Sequence, residues 1–244
     1  MLNEKTLLNE KSYYFCFMTE FDQGYFDLLS NIVTEKRKDT FDKVLENRTR
    51  HFTVILEDLF QKHNTSAVVR SCDIFGIQDV HIIENKYKSY MSNQVGKGSQ
   101  KWVDFHHYRD KQVNTQDCID FIKAEGYQLI ATTPHNESCL LHDFDISKKA
   151  AFVFGVEKEG VSNTIMEQAD GYLKVPMVGF TESLNISVAA AIILQSVTER
   201  LRASEVDWKL VEEDKILKTL DWMEKTIKSI DKIKERYFEE RIIE

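Results

Sequence analysis

Five polar side chains of this sequence are of types that can orient a substrate and stabilise charge during a reaction. They are two amides, a guanidinium, a carboxylate and a hydroxyl: Asn64, Arg70, Glu157, Ser183 and Asn185. A guanidinium or an amide N–H can stabilise negative charge that develops on an oxygen, and the other groups can hold reacting atoms in line. Each one also has an ordinary structural interpretation as a helix cap, a surface cation or a loop carboxylate. Taken singly, none of them predicts a catalytic site.

The segment from Val175 to Leu201 places two of these side chains. It begins as the end of a strand, continues as a polar loop and becomes a helix in which the run from Val188 to Leu194 is apolar on all faces. Such a helix is expected to be buried in a protein interior or a subunit interface, because it is far too short to cross a bilayer. Ser183 and Asn185 stand where side-chain oxygens cap a helix start. We therefore expect the polar loop at the mouth of a rigid element, where fixed backbone groups can hold a ligand.

Strands alternate with helices over most of the chain. The hydrophobic patterns predict strands at 52–57, 80–84, 127–133, 151–155 and 172–175, and helices at 65–75, 115–125 and 161–169. Asn64 and Gly76 are the expected caps of the first of these helices. The alternation predicts an α/β fold with a parallel, doubly wound sheet, which binds ligands at the carboxyl ends of its strands. Thr132, Glu157 and the loop from Met177 to Asn185 all follow strand ends.

Two stretches of the sequence concentrate positive charge. Helical spacing predicts a helix near residues 36–50, which is either a solvated face or an RNA-phosphate patch. Residues 85–107 are expected to form a loop that alternates cations with rings, namely Lys86, Lys88, Lys97 and Lys101 with Tyr87, Tyr90 and Trp102. Cations bind phosphates and rings stack on bases. The candidate RNA contacts are Lys36, Arg37, Lys38, Arg48, Arg50, Lys97, Lys101 and Trp102. A helix is also expected within residues 1–35, and an amphipathic helix pair or one long helix from Lys209 onward.

The composition bounds the class of protein. With 42% hydrophobic and 30% charged residues, the chain is globular rather than disordered. Its formal net charge of −8 argues against a nucleic-acid binder, although phosphate attraction depends on where the basic residues lie. Four cysteines without CxxC spacing predict neither a disulfide framework nor a zinc site. Together with the lack of a signal-peptide or membrane-span pattern, they predict a cytoplasmic protein without a metal.

Three segments together resemble a known family. They are NTSAVVR at Asn64 to Arg70, FGVEKEG at Phe154 to Gly160 and VPMVGFTESLNIS at Val175 to Ser187. In this order they are similar to the motifs of the SpoU/TrmH family of RNA 2'-O-methyltransferases in the SPOUT superfamily. The resemblance covers about residues 44–202. One position departs from it, since Val156 stands where the family commonly carries Asn. The ordered combination of segments is far more specific than any of its residues alone.

The resemblance implies a fold that periodicity cannot predict, because knots are nearly absent among proteins. It implies a parallel-sheet SPOUT fold with a C-terminal deep trefoil knot at residues 51–202, an N-terminal helical extension at residues 1–50 and a C-terminal helical extension at residues 203–244. In the family the knot holds S-adenosylmethionine, largely through backbone groups. By position, the implied cofactor contacts are Thr132, Gly155, Val175, Met177 and Leu184.

The reaction that the resemblance implies is methyl transfer to a ribose 2'-hydroxyl. A hydroxyl is a poor nucleophile at neutral pH, so the site must remove its proton or stabilise the developing alkoxide. The family places the residue matching Arg70 near that hydroxyl. Because arginine stays protonated in proteins, the more conservative role for Arg70 is that of a hydrogen-bond donor rather than a general base. The resemblance gives Asn64, Glu157, Ser183 and Asn185 the task of orienting Arg70 and the ribose, with Asn64 possible as a scaffold residue alone.

The resemblance also implies partners. Family enzymes are dimers whose site draws on both chains, so a homodimer is expected, and the apolar helix at 188–194 suits such an interface. The flanking helices favour tRNA as the substrate, with a guanosine of the D-loop as the methylated nucleotide. Ribosomal RNA is the alternative substrate, and a non-catalytic RNA-binding protein of the same fold is the alternative function.

Overall fold

The computed structural model describes residues 22–89, 93–133, 138–156 and 159–242. It divides into two compact units, of which the larger is Asp42–Lys215. The smaller unit is drawn from both ends of the chain, within Met1–Phe41 and Ile216–Glu244. None of the helices in the described part of the chain is long and apolar enough to cross a membrane.

The larger unit is built on one sheet of seven parallel strands. They are β1 Phe52–Glu57, β2 Asp79–Ile83, β3 Asp104–Tyr108, β4 Gln128–Thr132, β5 Cys139–Leu140, β6 Ala150–Phe154 and β7 Gly171–Lys174. Their order across the sheet is β3-β2-β1-β6-β4-β7-β5. The prediction of an α/β fold with a parallel sheet is confirmed, and the five expected strands are present with ends shifted by at most one residue. Strands β3 and β5 were not expected, and β3 replaces the end of the predicted loop 85–107.

The described residues form nine helices in chain order. They are α1 Gln23–Ile32, α2 Glu35–Leu45, α3 Lys62–Phe75, α4 Asn93–Gly96, α5 Thr115–Ala124, α6 Asn163–Gln168, α7 Ile186–Arg202, α8 Glu212–Thr226 and α9 Ile230–Ile242. Two single turns of 3₁₀ helix, Ser99–Lys101 and Leu141–Asp143, complete the connections. Four of these helices, α3, α4, α5 and α6, lie in connections between strands, and α3, α5 and α6 are the three that the alternating pattern predicted.

The core lies on both faces of the sheet. All six residues of β1 are buried, and Val54 faces Val80 of β2 and Phe152 of β6 in register. Val54 lies in the core cluster to which α3 and α7 contribute, whereas its neighbour Ile55 lies in the cluster formed with α5 and α6. Alternate residues of a strand point to opposite faces, so helices on both faces require an apolar residue at nearly every position.

Helix α3 begins earlier than expected. It starts at Lys62, so Asn64 lies in its first turn and the N-cap residue is Gln61; the prediction of Asn64 as the cap was wrong. The Asn64 side chain instead donates a hydrogen bond to the Gln61 Oε1 atom at 2.8 Å. The end of the helix is as predicted, at Gly76 with a φ of +80°, a conformation that glycine adopts without steric cost.

Helix α7 confirms one cap and corrects another expectation. Asn185 is its N-cap and accepts a hydrogen bond from the Ser187 backbone N–H at 2.9 Å, whereas Ser183 is exposed in the preceding loop. The apolar run was expected to be buried in a protein interior or a subunit interface; in the single chain Val188 is 46% exposed and Ile192 38% exposed. These two residues lie one turn apart and therefore form an apolar strip on one side of the helix.

The smaller unit has its own aromatic core. Phe41 packs edge-on against Trp222 with ring centroids 5.5 Å apart, and Tyr25 donates a hydrogen bond from its hydroxyl to Glu224 at 2.9 Å. The helix expected within residues 1–35 is α1, and residues 1–21 lie outside the described residues. The C-terminal segment is a helix pair, α8 and α9, rather than one long helix. The division into residues 1–50, 51–202 and 203–244 stays a prediction.

Candidate active site

Three of the expected cofactor residues lie at adjacent strand ends. Strands β6, β4 and β7 are neighbours in the sheet, and because all strands are parallel their carboxyl ends meet at one edge, here called the carboxyl edge. Thr132 is the last residue of β4, Gly155 follows β6 directly, and Val175 follows β7 directly. The Thr132 hydroxyl donates to the Val153 carbonyl at 2.6 Å, which ties β4 to its neighbour. The sequence therefore predicted a group of residues that the fold brings together.

A hydrogen bond joins the first and third motif segments. The Asn185 Nδ2 atom donates to the Asn64 Oδ1 atom at 3.2 Å, across 121 residues of sequence. Asn64 is 4% exposed. The Asn185 Oδ1 atom accepts from both the backbone N–H and the hydroxyl of Ser187, at 2.9 and 2.6 Å. Each amide is thus held by two partners, and the starts of α3 and α7 are fixed side by side.

Arg70 projects from α3, which packs against α7. Its side chain is partly exposed. Among the residues that the structure describes, it makes neither an ion pair nor a hydrogen bond through its guanidinium. An arginine carries five N–H donors, so these remain available to a ligand.

The loop after β7 is open to solvent. Met177 is 37% exposed, Ser183 is exposed and Leu184 is partly buried, while Val175 packs against the core cluster of α3 and α7. Ser183 therefore lies in the same loop as the expected cofactor residues Met177 and Leu184, and no hydrogen bond joins it to Arg70. Glu157, the expected carboxylate of the second motif segment, lies outside the described residues.

Backbone hydrogen bonds join the two described parts of the second motif segment. Val156 and Gly160 exchange two backbone hydrogen bonds, at 2.8 and 2.7 Å. A Cβ atom on Gly155 would lie 2.1 Å from the Gly160 carbonyl oxygen, so no side chain fits at this position. The carboxyl end of β6 therefore presents backbone groups rather than a side chain.

Glu57 is a site residue that sequence reasoning missed. It is the last residue of β1 and 3% exposed, and its carboxylate accepts from the Ser162 N–H at 2.8 Å and from the hydroxyls of Ser162 and Thr115 at 2.7 and 3.0 Å. Ser162 is the N-cap of α6 and lies two residues after Gly160. Glu57 thus anchors the second motif segment to the central strand. The available signal was an acidic residue at the carboxyl end of a strand that is mostly apolar.

The expected RNA contacts fall into two groups. Lys36 and Arg37 are exposed on α2, and Lys97 and Lys101 are exposed near the partly buried Trp102. Lys38 is partly buried and pairs with Glu35 at 2.6 Å. The exposed cations of this set can reach a phosphate without first losing a partner.

Two of the expected RNA contacts are instead engaged inside the protein. Arg48 is 1% exposed, pairs with Asp73 and donates to the Ile77 carbonyl at 3.2 Å. Arg50 meets three carboxylates, Asp79 through Nε at 2.8 Å, Asp104 at 2.9 Å and Asp214 at 2.7 Å. A guanidinium with its donors satisfied by carboxylates has little left for phosphate. The structure therefore corrects the expectation for both arginines, which join elements of the fold.

The Arg50 cluster also includes a histidine. Burial raises the pKa of the Asp79 carboxyl, but the hydrogen bond from His106 at 2.7 Å and the charge of Arg50 outweigh it and hold that pKa well below its usual range. Asp79 is therefore ionised at neutral pH, and the cluster is a set of compensated buried charges.

The described residues contain no group of three or more His, Cys, Asp or Glu side chains that could hold a metal ion. Cys72 and Cys118 are buried free thiols whose pKa values are raised by burial, and Cys139 is free and exposed.

Comparison with known proteins places this arrangement in a family. The model of the SpoU rRNA Methylase family matches residues 51–195. The tRNA (guanosine(18)-2'-O)-methyltransferase of Borreliella burgdorferi is 39% identical over 202 residues, 83% of this chain and 91% of that relative. A relative of the same name from Thermus thermophilus is 34% identical over 194 residues, 79% of this chain and 98% of its own. The crystal structure of the A. aeolicus TrmH/SpoU tRNA modifying enzyme superposes with a TM-score of 0.68 at 34% identity, covering 80% of this chain and 98% of that one. The chain belongs to the SpoU rRNA Methylase family.

Proposed function

We propose that this protein transfers a methyl group from S-adenosylmethionine to the ribose 2'-hydroxyl of guanosine 18 in the D-loop of tRNA. The observation that carries the proposal is the hydrogen bond between Asn64 and Asn185, which joins two motif segments at the carboxyl edge. Family membership over residues 51–195 supports the reaction type. Two relatives whose names specify this reaction, at 39% and 34% identity, support the substrate.

The residues at the carboxyl edge fit S-adenosylmethionine. The ends of β4, β6 and β7 offer backbone groups side by side, and Gly155 leaves no side chain in the way. Val175, Met177 and Leu184 add aliphatic surface for an adenine ring. Backbone groups with aliphatic walls suit a ligand that combines an apolar ring face with several hydrogen-bonding groups. When bound, the cofactor supplies an electrophilic methyl group on a sulfonium.

The chain's own residues would then prepare the ribose oxygen. Arg70 donates hydrogen bonds to the 2'-oxygen or to an adjacent phosphate, and its positive charge stabilises the negative charge that develops on the 2'-oxygen while the hydroxyl proton passes to solvent water. Asn64 and Asn185 hold the starts of α3 and α7 together, which sets the direction of Arg70. Ser183, which is exposed, would orient the ribose, and the same role is proposed for Glu157 on the family resemblance alone.

The same family membership leads us to infer a trefoil knot and a homodimer. The knot would thread the segment that contains β7 and α7. For the dimer, the support in this chain is an exposed apolar surface: Val188 and Ile192 on α7, and Val178 and Phe180, whose side chains are fully exposed in the loop before it. Apolar residues grouped in this way mark an interaction surface. Light scattering would measure the mass, and a monomer at micromolar concentration would contradict the dimer.

The chemistry of the proposal is tested by product mapping. Purified protein, labelled S-adenosylmethionine and unmodified total tRNA are incubated beside ribosomal RNA, and labelled nucleosides are then mapped. Label in 2'-O-methylguanosine of the D-loop is the expected result. Label confined to ribosomal RNA would keep the reaction and overturn the substrate, and no label in either RNA despite cofactor binding would favour a non-catalytic RNA-binding protein.

A further inference from the structure

Two exposed aromatic rings lie together at the carboxyl edge. Phe60 follows β1 and is 68% exposed, and Tyr87 follows β2 and is 42% exposed. Their ring centroids are 5.1 Å apart and their planes meet at 61°. The proposed reaction gives neither ring a role. Adjacent large apolar side chains that remain in water indicate a surface that another molecule covers.

The ring pair is mounted on a stiff support. Asp58 has a φ of +52°, a conformation that is costly for a residue with a side chain. Its carboxylate accepts hydrogen bonds from the backbone N–H groups of Asn85 and Lys86, at 2.7 and 2.8 Å. These bonds tie the segment after β2 to the segment after β1, and they position Tyr87 against Phe60. A rigid support lowers the entropic cost of binding a ligand on the rings.

Two exposed lysines adjoin the ring pair in sequence. Lys86 and Lys88 flank Tyr87 in sequence, and both are exposed. Lys86 meets Glu159 at 3.3 Å, where both side chains are more than 60% exposed, so water screens the pair. Lys88 has no ion pair within the described part of the chain. Cations beside exposed rings are the combination that binds an unpaired nucleotide, with the ring on the base and the cation on the phosphate.

We propose that the ring pair of Phe60 and Tyr87 is a stacking site for an unpaired nucleobase of the RNA substrate, with Lys86 and Lys88 on the adjoining phosphates. The proposal rests on the proposed function in that it takes RNA as the ligand. Phe60 precedes Asn64 by four residues, so the stacked base belongs to the target nucleotide or to a near neighbour. A second copy of the chain is the other possible occupant, but flanking lysines favour a polyanion over a like-charged protein surface.

Binding measurements on the full-length protein test the stacking site. The probes are an unmodified tRNA transcript, which has unpaired loops, and a fully paired RNA duplex of the same length. The double variant F60A/Y87A is expected to bind the transcript at least about 10-fold more weakly, since stacking on an aromatic side chain contributes strongly to the affinity for each base. Its salt dependence and its affinity for the duplex should not change, because no cation is lost and paired bases cannot stack on protein rings.

Three controls sharpen the result. Phe60→Tyr and Tyr87→Phe keep a ring at each position and should bind like the wild type. Ile74→Ala removes an apolar side chain that is 62% exposed at the far end of α3, and it should bind normally. An equal rise in melting temperature on addition of S-adenosylmethionine, for wild type and for F60A/Y87A, would show that the cofactor pocket is intact.

Distinct outcomes would overturn the stacking site. Wild-type affinity of F60A/Y87A for the transcript, or an equal loss for transcript and duplex, would exclude base stacking. A change in mass by light scattering would assign the rings to a second copy of the chain. If the wild type binds the transcript through the rings but methylates no RNA, the stacking site stands and the proposed reaction fails. If the wild type does not bind the transcript, both fail.

Discussion

At the scale of single residues, Arg70 is the side chain whose availability matters most. It lies on α3 without an ion pair to any described residue, in a chain of formal net charge −8 in which many other cations are paired with carboxylates. An arginine without an ion-pair partner can donate hydrogen bonds to an anion or an alkoxide that binds beside it.

Arg70→Ala should therefore abolish most methyl transfer. Loss of a group that stabilises a developing oxyanion lowers the rate by about 100-fold or more. Cofactor binding should survive, because Arg70 does not lie among the strand ends expected to hold the cofactor. Single-turnover methylation of tRNA and the cofactor-induced rise in melting temperature measure the two effects separately. The control is Lys148→Ala, which removes an exposed cation before β6 and should transfer methyl groups normally. Near wild-type transfer by Arg70→Ala would refute the role of Arg70 in stabilising the 2'-oxygen.

The amide pair of Asn64 and Asn185 carries a second prediction. Replacing either residue by Ala leaves a partly or fully buried amide without its partner, which costs about 1 to 3 kcal/mol in the free energy of unfolding. Because the two side chains share a hydrogen bond, the double variant should lose less than the sum of the single variants. Urea unfolding of the four proteins measures the coupling. Additive losses would mean that the bond contributes nothing to holding α3 beside α7.

The residues that sequence reasoning misjudged share a physical cause. Arg48 and Arg50 stand in a basic stretch, but they are satisfied by carboxylates that come from other segments, Asp73, Asp79, Asp104 and Asp214. The pattern of charges along the chain does not reveal which carboxylates the fold brings to a given arginine. Glu57 was overlooked for the same reason, since its partners Thr115 and Ser162 are far away in sequence.

At the scale of elements, prediction succeeded where a local pattern determines the structure. Central strands such as β1 and β6 are short apolar runs, and Gly76 ends α3 as a left-handed glycine does. Strand β3 was missed because it reads DFHHY, with each residue only partly buried at the edge of the sheet. The apolar run of α7 predicted burial in the interior or at a subunit interface, and in the single chain Val188 and Ile192 are exposed.

Glu57 gives a prediction at this scale, because it links β1 to the start of α6. Glu57→Ala would leave the Ser162 N–H and the Thr115 hydroxyl without their acceptor, and we expect the free energy of unfolding to fall by about 2 to 3 kcal/mol. The second motif segment would loosen, so cofactor affinity should fall as well. Urea unfolding and calorimetric titration with S-adenosylmethionine measure both. The control is Glu167→Ala, an exposed change within α6, which should alter neither the free energy of unfolding nor the cofactor affinity. If Glu57→Ala also alters neither, the hydrogen bonds from Glu57 to Ser162 and Thr115 do not stabilise the site.

At the scale of the whole molecule, the net charge and the expected ligand have the same sign. An RNA binder of charge −8 must attract phosphate through local groups of cations. Among the cations first expected to contact RNA, the described residues include two exposed groups, Lys36 with Arg37 on α2, and Lys97 with Lys101 before β3. Arg48 and Arg50 do not belong to these groups, because carboxylates of the protein already pair with them.

The salt dependence of tRNA binding separates these groups. Each phosphate contact releases counterions, so its loss reduces the slope of log affinity against log salt by roughly one unit. Replacing Lys36 and Arg37 by Ala should lower affinity and flatten the slope by about two units, and replacing Lys97 and Lys101 should do the same if both groups touch RNA. The matched control is the double variant Lys123→Ala with Lys148→Ala, which has the same change in net charge. Both lysines are exposed and lie near the amino ends of the strands. If the control flattens the slope equally, the protein attracts RNA through its overall charge and the local groups have no special part. If the slope changes with one group alone, the RNA path crosses that group and the other is a solvated surface.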